Sequence, residues 1–320
     1  MFNEKYINII NKTMNDHLNE FLKESPDIKQ FCEYSLLNGK RIRPCITVDI
    51  CNTCNILNEN EDDYGYSNYT ASLFVEYIHT ASLIVDDLPC MDNAKTRRNN
   101  QCIHLKYGEA QAQITSITLL SLATNALFKN ILIMKENNLT DEKNLYELNN
   151  YIMNEFSKML YNTSHGQLMD LSLTDESTST NLNDILKKKL ENKNIDIVTI
   201  IKKKTGSFFE MSFILGWLIG KGDIHKIQKI KELSFNFSMI YQILDDIEDM
   251  EEDLILKKKK SQINYVLHFG MHKAIYDFKR YSLHFTLLLD ELKLTSNFFT
   301  ELINHINDKF EDITNMYKKT

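Results

Sequence analysis

Apolar residues recur at three- and four-residue spacing along most of this chain, and breakers are few, so the pattern predicts helix almost throughout. Residues 1–50 read as two helices, the second entered through Asn38-Gly39-Lys40-Arg41-Ile42-Arg43-Pro44. A polar, acidic loop is expected at 58–66. The next helix is expected to begin near Ser67 or Thr70 and to run through Val75, Ile78 and Leu83 to Asp86 and Asp87, where Pro89 blocks its regular continuation. The helical pattern continues over 108–136 and 142–171. Residues 172–199 are rich in Ser, Thr, Asn and Lys and lose the period, which predicts a flexible insertion. A helix over 200–220 follows. Asp223 is a candidate N-cap for the next one, whose apolar positions are Ile224, Ile227, Ile230, Leu233, Phe237, Ile240, Leu244 and Ile247. From Tyr265 onward the pattern is again amphipathic helix. Without an internal repeat or a dividing linker, the expectation is one all-α domain over residues 1–320.

Composition narrows the function classes. The chain has 320 residues, enough for a large core, with three prolines and nine glycines. A net charge of −7 gives no footing to nucleic-acid binding. The six cysteines are scattered, so reduced thiols in a cytoplasmic setting are expected. Cys51-x-x-Cys54 is the one close pair, and no second pair or His cluster completes a zinc site. The first twenty residues mix acids and bases instead of forming the apolar stretch of a signal peptide. The apolar run at 212–220 is shorter than a membrane span, so a soluble protein is expected.

The candidate chemistry lies in two acidic clusters. The first is Asp86-Asp87-Leu88-Pro89-Cys90-Met91-Asp92, soon followed by Arg97-Arg98; the second is Asp245-Asp246-Ile247-Glu248-Asp249, preceded by Gln242. Crowded carboxylates repel one another unless a cation sits between them. A Mg²⁺ site typically uses one or two carboxylates, waters and substrate phosphate oxygens, so two clusters facing a common cavity would hold a diphosphate ester. Asp245 and Asp249 fall one turn apart on a helix. A bulge at Pro89 could bring Asp92 back beside Asp86. An acidic solvated stripe explains the second cluster equally well, and a surface ion-pair network could explain the first. Lys40 and Arg43 flank a turn and could grip a second anionic group. Lys204-Thr205-Gly206 offers a lysine, a hydroxyl and backbone N–H groups to an oxyanion. Gly166-Gln167-Leu168-Met169-Asp170 sets polar groups in an apolar helix.

Taken in order, these pieces, with Glu76-Tyr77-Ile78-His79 and Tyr241-Gln242-Ile243-Leu244-Asp245-Asp246, resemble the trans-isoprenyl diphosphate synthases, in their short-chain farnesyl and geranylgeranyl branch. The resemblance spans about residues 30 to 270. It implies a single large bundle of antiparallel helices around a deep central cavity, usually a homodimer. It implies three Mg²⁺ held by Asp86, Asp92 and Asp245, supported by Asp87 and Asp249, with Asp246 among the catalytic acids. Isopentenyl diphosphate would meet Lys40, Arg43, His79 and Arg98. The allylic diphosphate would meet Arg97, Lys204, Thr205 and Gln242. Chain length would be set by Ile78, Ala81 and Ser82, below the first cluster. A small Ala81 with the widened, Pro89-containing motif favours the C20 product, geranylgeranyl diphosphate, over farnesyl diphosphate. A terpene cyclase of the same fold would have no need of the isopentenyl site, and a non-catalytic partner subunit would have no need of intact acidic clusters. The chain departs from the family pattern at Val85, at Asn99-Asn100-Gln101-Cys102 and at Ser116-Ile117. The register of a diphosphate-binding lysine among residues 257–260 is unassigned.

Overall fold

In a computed structural model that describes residues 4–57, 65–137, 139, 141–174, 197–249 and 264–317, the periodic stretches are helices. In chain order they are α1 (Glu4–Phe21), α2 (Pro26–Leu36), α3 (Ile42–Leu57), α4 (Gly65–Asp86), α5 (Ile103–Lys106), α6 (Glu109–Glu136) and α7 (Glu142–Thr174). Then come α8 (Ile197–Ile201), α9 (Ser207–Ile219), α10 (Ile227–Glu248), α11 (Tyr265–Phe269), α12 (Met271–Glu291) and α13 (Asn297–Tyr317). A two-residue hairpin, β1 (Thr96–Arg97) against β2 (Asn100–Gln101), is the only sheet among the described residues. The all-α class expected from the periodicity is what forms.

Four local features differ from the sequence reading. The first expected helix is two, because Pro26 has no N–H to continue the turn and Ser25 before it adopts φ −133° and ψ 68°. Asp223 does not cap α10; a 3₁₀ turn at Ile224–Lys226 intervenes and the helix starts at Ile227. The helix expected over 200–220 is interrupted by a π-helical turn, Lys202–Gly206, between α8 and α9. The hairpin at 96–101 had no counterpart in the helical pattern. The acidic loop at 58–66, the insertion at 172–199 and the lysines at 257–260 lie wholly or mostly outside the described residues.

The residues group into two compact units: Asn3–Asn154 with Ser212–Ile224, and Glu155–Met211 with His225–Thr320. In the first, α4 is the centre, buried almost continuously from Asn68 to Ile78. It packs chiefly on α6, then on α3 and α1. The α6 face that meets it is built of small and aliphatic residues, among them Ala112, Ser116, Leu119, Ala123 and Ala126. Ser116 stands there, and its hydroxyl donates to the carbonyl oxygen of Ala81 at 3.0 Å. Helix α6 is long and apolar enough to cross a membrane, with a mean hydropathy of 1.5, a character shared by core helices of soluble proteins. Cys32, Cys45, Cys51 and Cys54 are buried in this unit. Burial pushes the Cys32, Cys45 and Cys54 thiols up to about 12, which suits packing and not reactivity.

In the second unit, α10 lies against α12. Phe237 and Tyr241 of α10 meet Phe209, and Phe237 also meets Phe285 of α12, in one connected aromatic group. Phe278 stacks on Phe310 with centroids 3.7 Å apart, joining α12 to α13. Each such fully buried phenylalanine contributes on the order of 2 kcal/mol through area removed from water. That core fixes the face of α10 that carries the second acidic cluster.

Candidate active site

Helix α4 ends on Asp86 because its next turn meets Pro89. The chain folds back so that the Asp92 N–H donates to the Asp86 carbonyl oxygen at 2.9 Å. This closes the bulge expected from sequence and brings the two backbones together, with both side chains half-buried. Asp87 points elsewhere. It is buried and accepts from Arg97 through Nη2 at 2.6 Å and Nε at 3.0 Å. Two-point pairing of a guanidinium with a carboxylate fixes orientation as well as charge.

The hairpin explains how two successive arginines serve different acids. Arg98 and Asn99, its two central residues, both have positive φ, 53° and 63°, the signature of a tight turn that reverses the chain. Arg97 on one side of the turn reaches Asp87. Arg98 reaches Glu76 at 3.4 Å. The departure at Asn99-Asn100 is therefore coherent, since Asn accepts a left-handed conformation more readily than most residues.

Glu76 is the organising charge of this unit. It is 2% exposed and accepts from Arg41 at 2.6 Å as well as from Arg98. Burial alone would raise its carboxyl, but the guanidiniums of Arg41 and Arg98 outweigh burial and hold it below the usual carboxylate range. Arg41 is fixed further by the Leu36 carbonyl at 2.6 Å and by Asn11 at 2.9 Å. Gly39 passes over this cluster: a Cβ there would lie 2.8 Å from Glu76 Oε1 and 2.9 Å from Arg98 Nη1. No side chain fits at that position without displacing the pair.

His79 lies one turn from Glu76, with Arg43 Nη1 3.1 Å from its Nε2. A guanidinium only donates, so Nε2 accepts and the ring proton sits on Nδ1. Burial, then Arg43, Arg98, Arg97 and Arg41, hold His79 well below its ordinary value, so it is neutral at pH 7. Three arginines and a neutral histidine around one carboxylate leave a net positive cluster, with exposed Lys40 beside it in sequence. Of the residues expected to line the product pocket, Ile78 and Ala81 are buried. Ser82 is half-buried and its hydroxyl bonds the His79 carbonyl at 2.8 Å.

The second unit holds the remaining candidates. On α10, Asp245 is half-buried; Asp249 lies just past the helix end, exposed, with its N–H on the Asp245 carbonyl at 3.0 Å. Asp246 is buried, and each of its oxygens is engaged: Oδ1 accepts from Gln242 Nε2 at 2.8 Å and Oδ2 from the Tyr265 N–H at 2.7 Å. Its carbonyl accepts from Asn264 at 2.8 Å. Asp246 thus anchors the start of α11, while Asp245 and Asp249 remain the more accessible acids. Gln242 in turn accepts from the Thr205 hydroxyl at 2.9 Å. Lys204 pairs with Asp170 at 2.5 Å. Thr205, Gln242 and Asp246 are therefore one hydrogen-bonded chain, with Lys204 next to Thr205 in sequence and paired separately with Asp170.

Asp86 with Asp92, and Asp245 with Asp249, are hard oxygen donors in pairs, the number of carboxylates that Mg²⁺ draws from a protein when phosphate oxygens and waters complete its shell. Their donor type suits that ion, while among the described residues no three His, Cys, Asp or Glu side chains gather at one point. The reading from sequence gave no role to Glu76, although a lone acid inside the apolar stretch from Ala71 to Ala81 was a signal. A charge at such a position must be paired.

Comparison with known proteins gives a consistent result. A family model described as polyprenyl synthetase matches residues 25–262. A trans-prenyltransferase of African swine fever virus is 26% identical over 309 residues, covering 95% of this chain and 82% of its own. Geranylgeranyl pyrophosphate synthase 11 of Arabidopsis thaliana is 30% identical over 232 residues, covering 72% of this chain and 58% of its own. Among solved structures, geranyltranstransferase from Thermotoga maritima superposes with a TM-score of 0.70 at 24% identity, over 94% of this chain and 98% of that one. A geranyltransferase from Legionella pneumophila gives a TM-score of 0.72 at 21% identity, covering 96% and 95%.

Proposed function

The chain belongs to the polyprenyl synthetase family, and we propose that it is a Mg²⁺-dependent prenyltransferase that joins isopentenyl diphosphate to an allylic diphosphate, with geranylgeranyl diphosphate (C20) as its product. The observation that carries this reading is the cationic cluster around Glu76. A second diphosphate needs a grip of its own, and Arg43, Arg98, Lys40 and the neutral His79 provide one outside the acidic loop. A terpene cyclase, which takes one diphosphate, has no use for it.

In this mechanism Asp86 with Asp92, and Asp245 with Asp249, would hold Mg²⁺, which when bound would draw charge onto the departing diphosphate. Lys204, Thr205, Gln242 and Arg97 orient that diphosphate. The isopentenyl diphosphate, fixed by Lys40, Arg43, His79 and Arg98, presents its double bond to the allylic carbon as the C–O bond breaks. Loss of a proton from the new adduct, to the released diphosphate, restores a double bond. Apolar walls exclude water, which would otherwise capture the cation. Because His79 stays neutral, its Nδ1–H can donate to a diphosphate oxygen without titrating near pH 7. The small side chain of Ala81, where α4 meets α6, leaves more room than an aromatic would and favours a product longer than C15.

The same reading makes the protein a cytoplasmic homodimer. Ile114, Ile117 and Phe128 are 51%, 68% and 57% exposed on α6, an apolar strip suited to a second copy.

The test is a product assay with Mg²⁺ and labelled isopentenyl diphosphate, offering dimethylallyl, geranyl and farnesyl diphosphates separately. A C20 product, lost in Asp86→Ala and Asp245→Ala and shortened to C15 in Ala81→Phe, is expected. Growth that stops at C15 or passes C20 in the wild type would refute the pocket argument alone. No elongation with any primer would refute the synthase reading, and consumption of farnesyl diphosphate alone would point to a cyclase.

A further inference from the structure

We propose that Gly166 is a positioning residue for the diphosphate grip made by Lys204 and Thr205; the inference rests on the prenyltransferase reading and extends it to a residue that touches no substrate. The π-helical turn Lys202–Gly206 lies directly on α7 at Gly166. A Cβ on Gly166 would stand 2.6 Å from the Lys204 backbone nitrogen, 3.0 Å from the Lys203 carbonyl carbon and 3.0 Å from Lys203 Cβ. The closest two of these are backbone atoms, which cannot swing aside. The turn itself would have to lift.

What lies on either side of that contact shows what a lift would move. Lys203 reaches back along α7, with Nζ 3.1 Å from His165 Nδ1 and 3.4 Å from Asn162 Oδ1. Lys204 reaches forward to Asp170 at 2.5 Å, one turn beyond Gly166. Two successive lysines therefore straddle α7 in opposite directions, with the glycine beneath the peptide that joins them. Thr205 follows at once and bonds Gln242 at 2.9 Å.

A π turn carries the equivalent of one extra residue in an α-helix, which rotates neighbouring side chains by about 100° relative to unbroken α geometry. Here the extra residue lets Lys204 face α7 while Thr205 faces α10. Gly166 permits the backbone approach on which that arrangement depends. Gly166→Ala lifts the turn, moves the Lys204 ammonium and Thr205 hydroxyl together, and leaves the pocket around Glu76 untouched.

The experiment compares wild type, Gly166→Ala and a variant lacking Lys202, which removes the extra residue without crowding α7. Steady-state kinetics would be measured with each substrate varied in turn. The melting shift produced by inorganic diphosphate with Mg²⁺ would be measured in parallel. The expected result in both variants is a KM for the allylic diphosphate raised at least tenfold, a KM for isopentenyl diphosphate within twofold, and a reduced diphosphate-induced shift. If Gly166→Ala does not fold, the Lys202 deletion carries the same readouts. Unchanged allylic KM, or equal changes in both KM values, would overturn the proposal, because a merely structural role affects both substrates alike. If the wild type does not elongate, the function falls separately. The diphosphate shift then decides: smaller in the variants than in the wild type, Gly166 still positions the grip; equal to it, it does not.

Discussion

Replacing Glu76 by Gln keeps its shape and removes one charge from the centre of the cationic cluster. In the native protein this buried carboxylate faces Arg41 at 2.6 Å and Arg98 at 3.4 Å, with side chains 7% and 15% exposed. The variant leaves both guanidiniums beside Arg43 without their counter-charge. Breaking a buried pair from one side costs about 3–5 kcal/mol, because the remaining charge is desolvated and uncompensated. The amide oxygen of Gln can still accept one bond, and Arg98 is the less buried partner, so the lower end of that range applies. For a chain of this length, roughly 2 °C is lost per kcal/mol, which sets an expected fall of about 6 °C in melting midpoint. Added inorganic diphosphate should recover more of the midpoint in the variant than in the wild type, since an anion supplies the missing charge. Thermal melts with and without diphosphate, followed by circular dichroism, read both effects. A variant that melts within about 1 °C of wild type would refute the reasoning, because it would mean that solvent already neutralises the two arginines.

Other expectations follow from the same contacts. His17, held between the Tyr77 hydroxyl at 3.1 Å and Asn125 Oδ1 at 2.9 Å, is lowered by burial, as is His79 by burial and four arginines. The unfolded chain therefore takes up protons near pH ~6.5 that the native state refuses; stability is full above pH ~7 and falls below ~6.5, by up to about 1.4 kcal/mol per pH unit for each histidine. Urea melts at a series of pH values check this, and a flat profile between pH ~5 and ~6.5 would contradict it. Asp246→Asn puts an amide NH₂ against a donor, Gln242 or the Tyr265 N–H, and should cost about 1–3 kcal/mol while exposing α11 to faster hydrogen exchange. Unchanged exchange at Tyr265–Phe269 would show that Asp246 does not anchor that helix. Ile117→Glu should convert a dimer to monomers in light scattering without unfolding them; a wild type that is already monomeric, or a variant that stays dimeric, would remove α6 as the interface.

The sequence was most legible where one physical cause dominated. Apolar spacing placed α6 and α7 within a few residues, and Pro89 placed the end of α4. It was less legible where two causes competed. Apolar spacing runs on through Ser25-Pro26, so it hid a break that the missing proline N–H imposes. Neighbours such as Asp245 and Asp246 look alike in a string, but about 100° of helical rotation separates them. Only one of them can meet Tyr265 and Asn264, which arrive from eighteen and more residues downstream. The π turn was invisible for a related reason: it depends on the backbone contact at Gly166, and spacing along the chain carries no information about that approach. The sequence motifs also carried no sign of the hydrogen bonds that tie them together, from Thr205 through Gln242 to Asp246 and from Lys204 to Asp170.

The hairpin at Arg98 and Asn99 bears on how this protein could be engineered. Arg98 occupies a left-handed conformation at φ 53° that glycine or asparagine would adopt with less strain. Relieving that strain, however, would remove a partner of the buried Glu76 carboxylate, whose contact with Arg98 is 3.4 Å. Loss of one side of a buried pair outweighs the relief of one left-handed residue. The usual rule for repairing a tight turn is therefore reversed at position 98, and a library built for heat resistance should hold this arginine fixed while it varies Asn99.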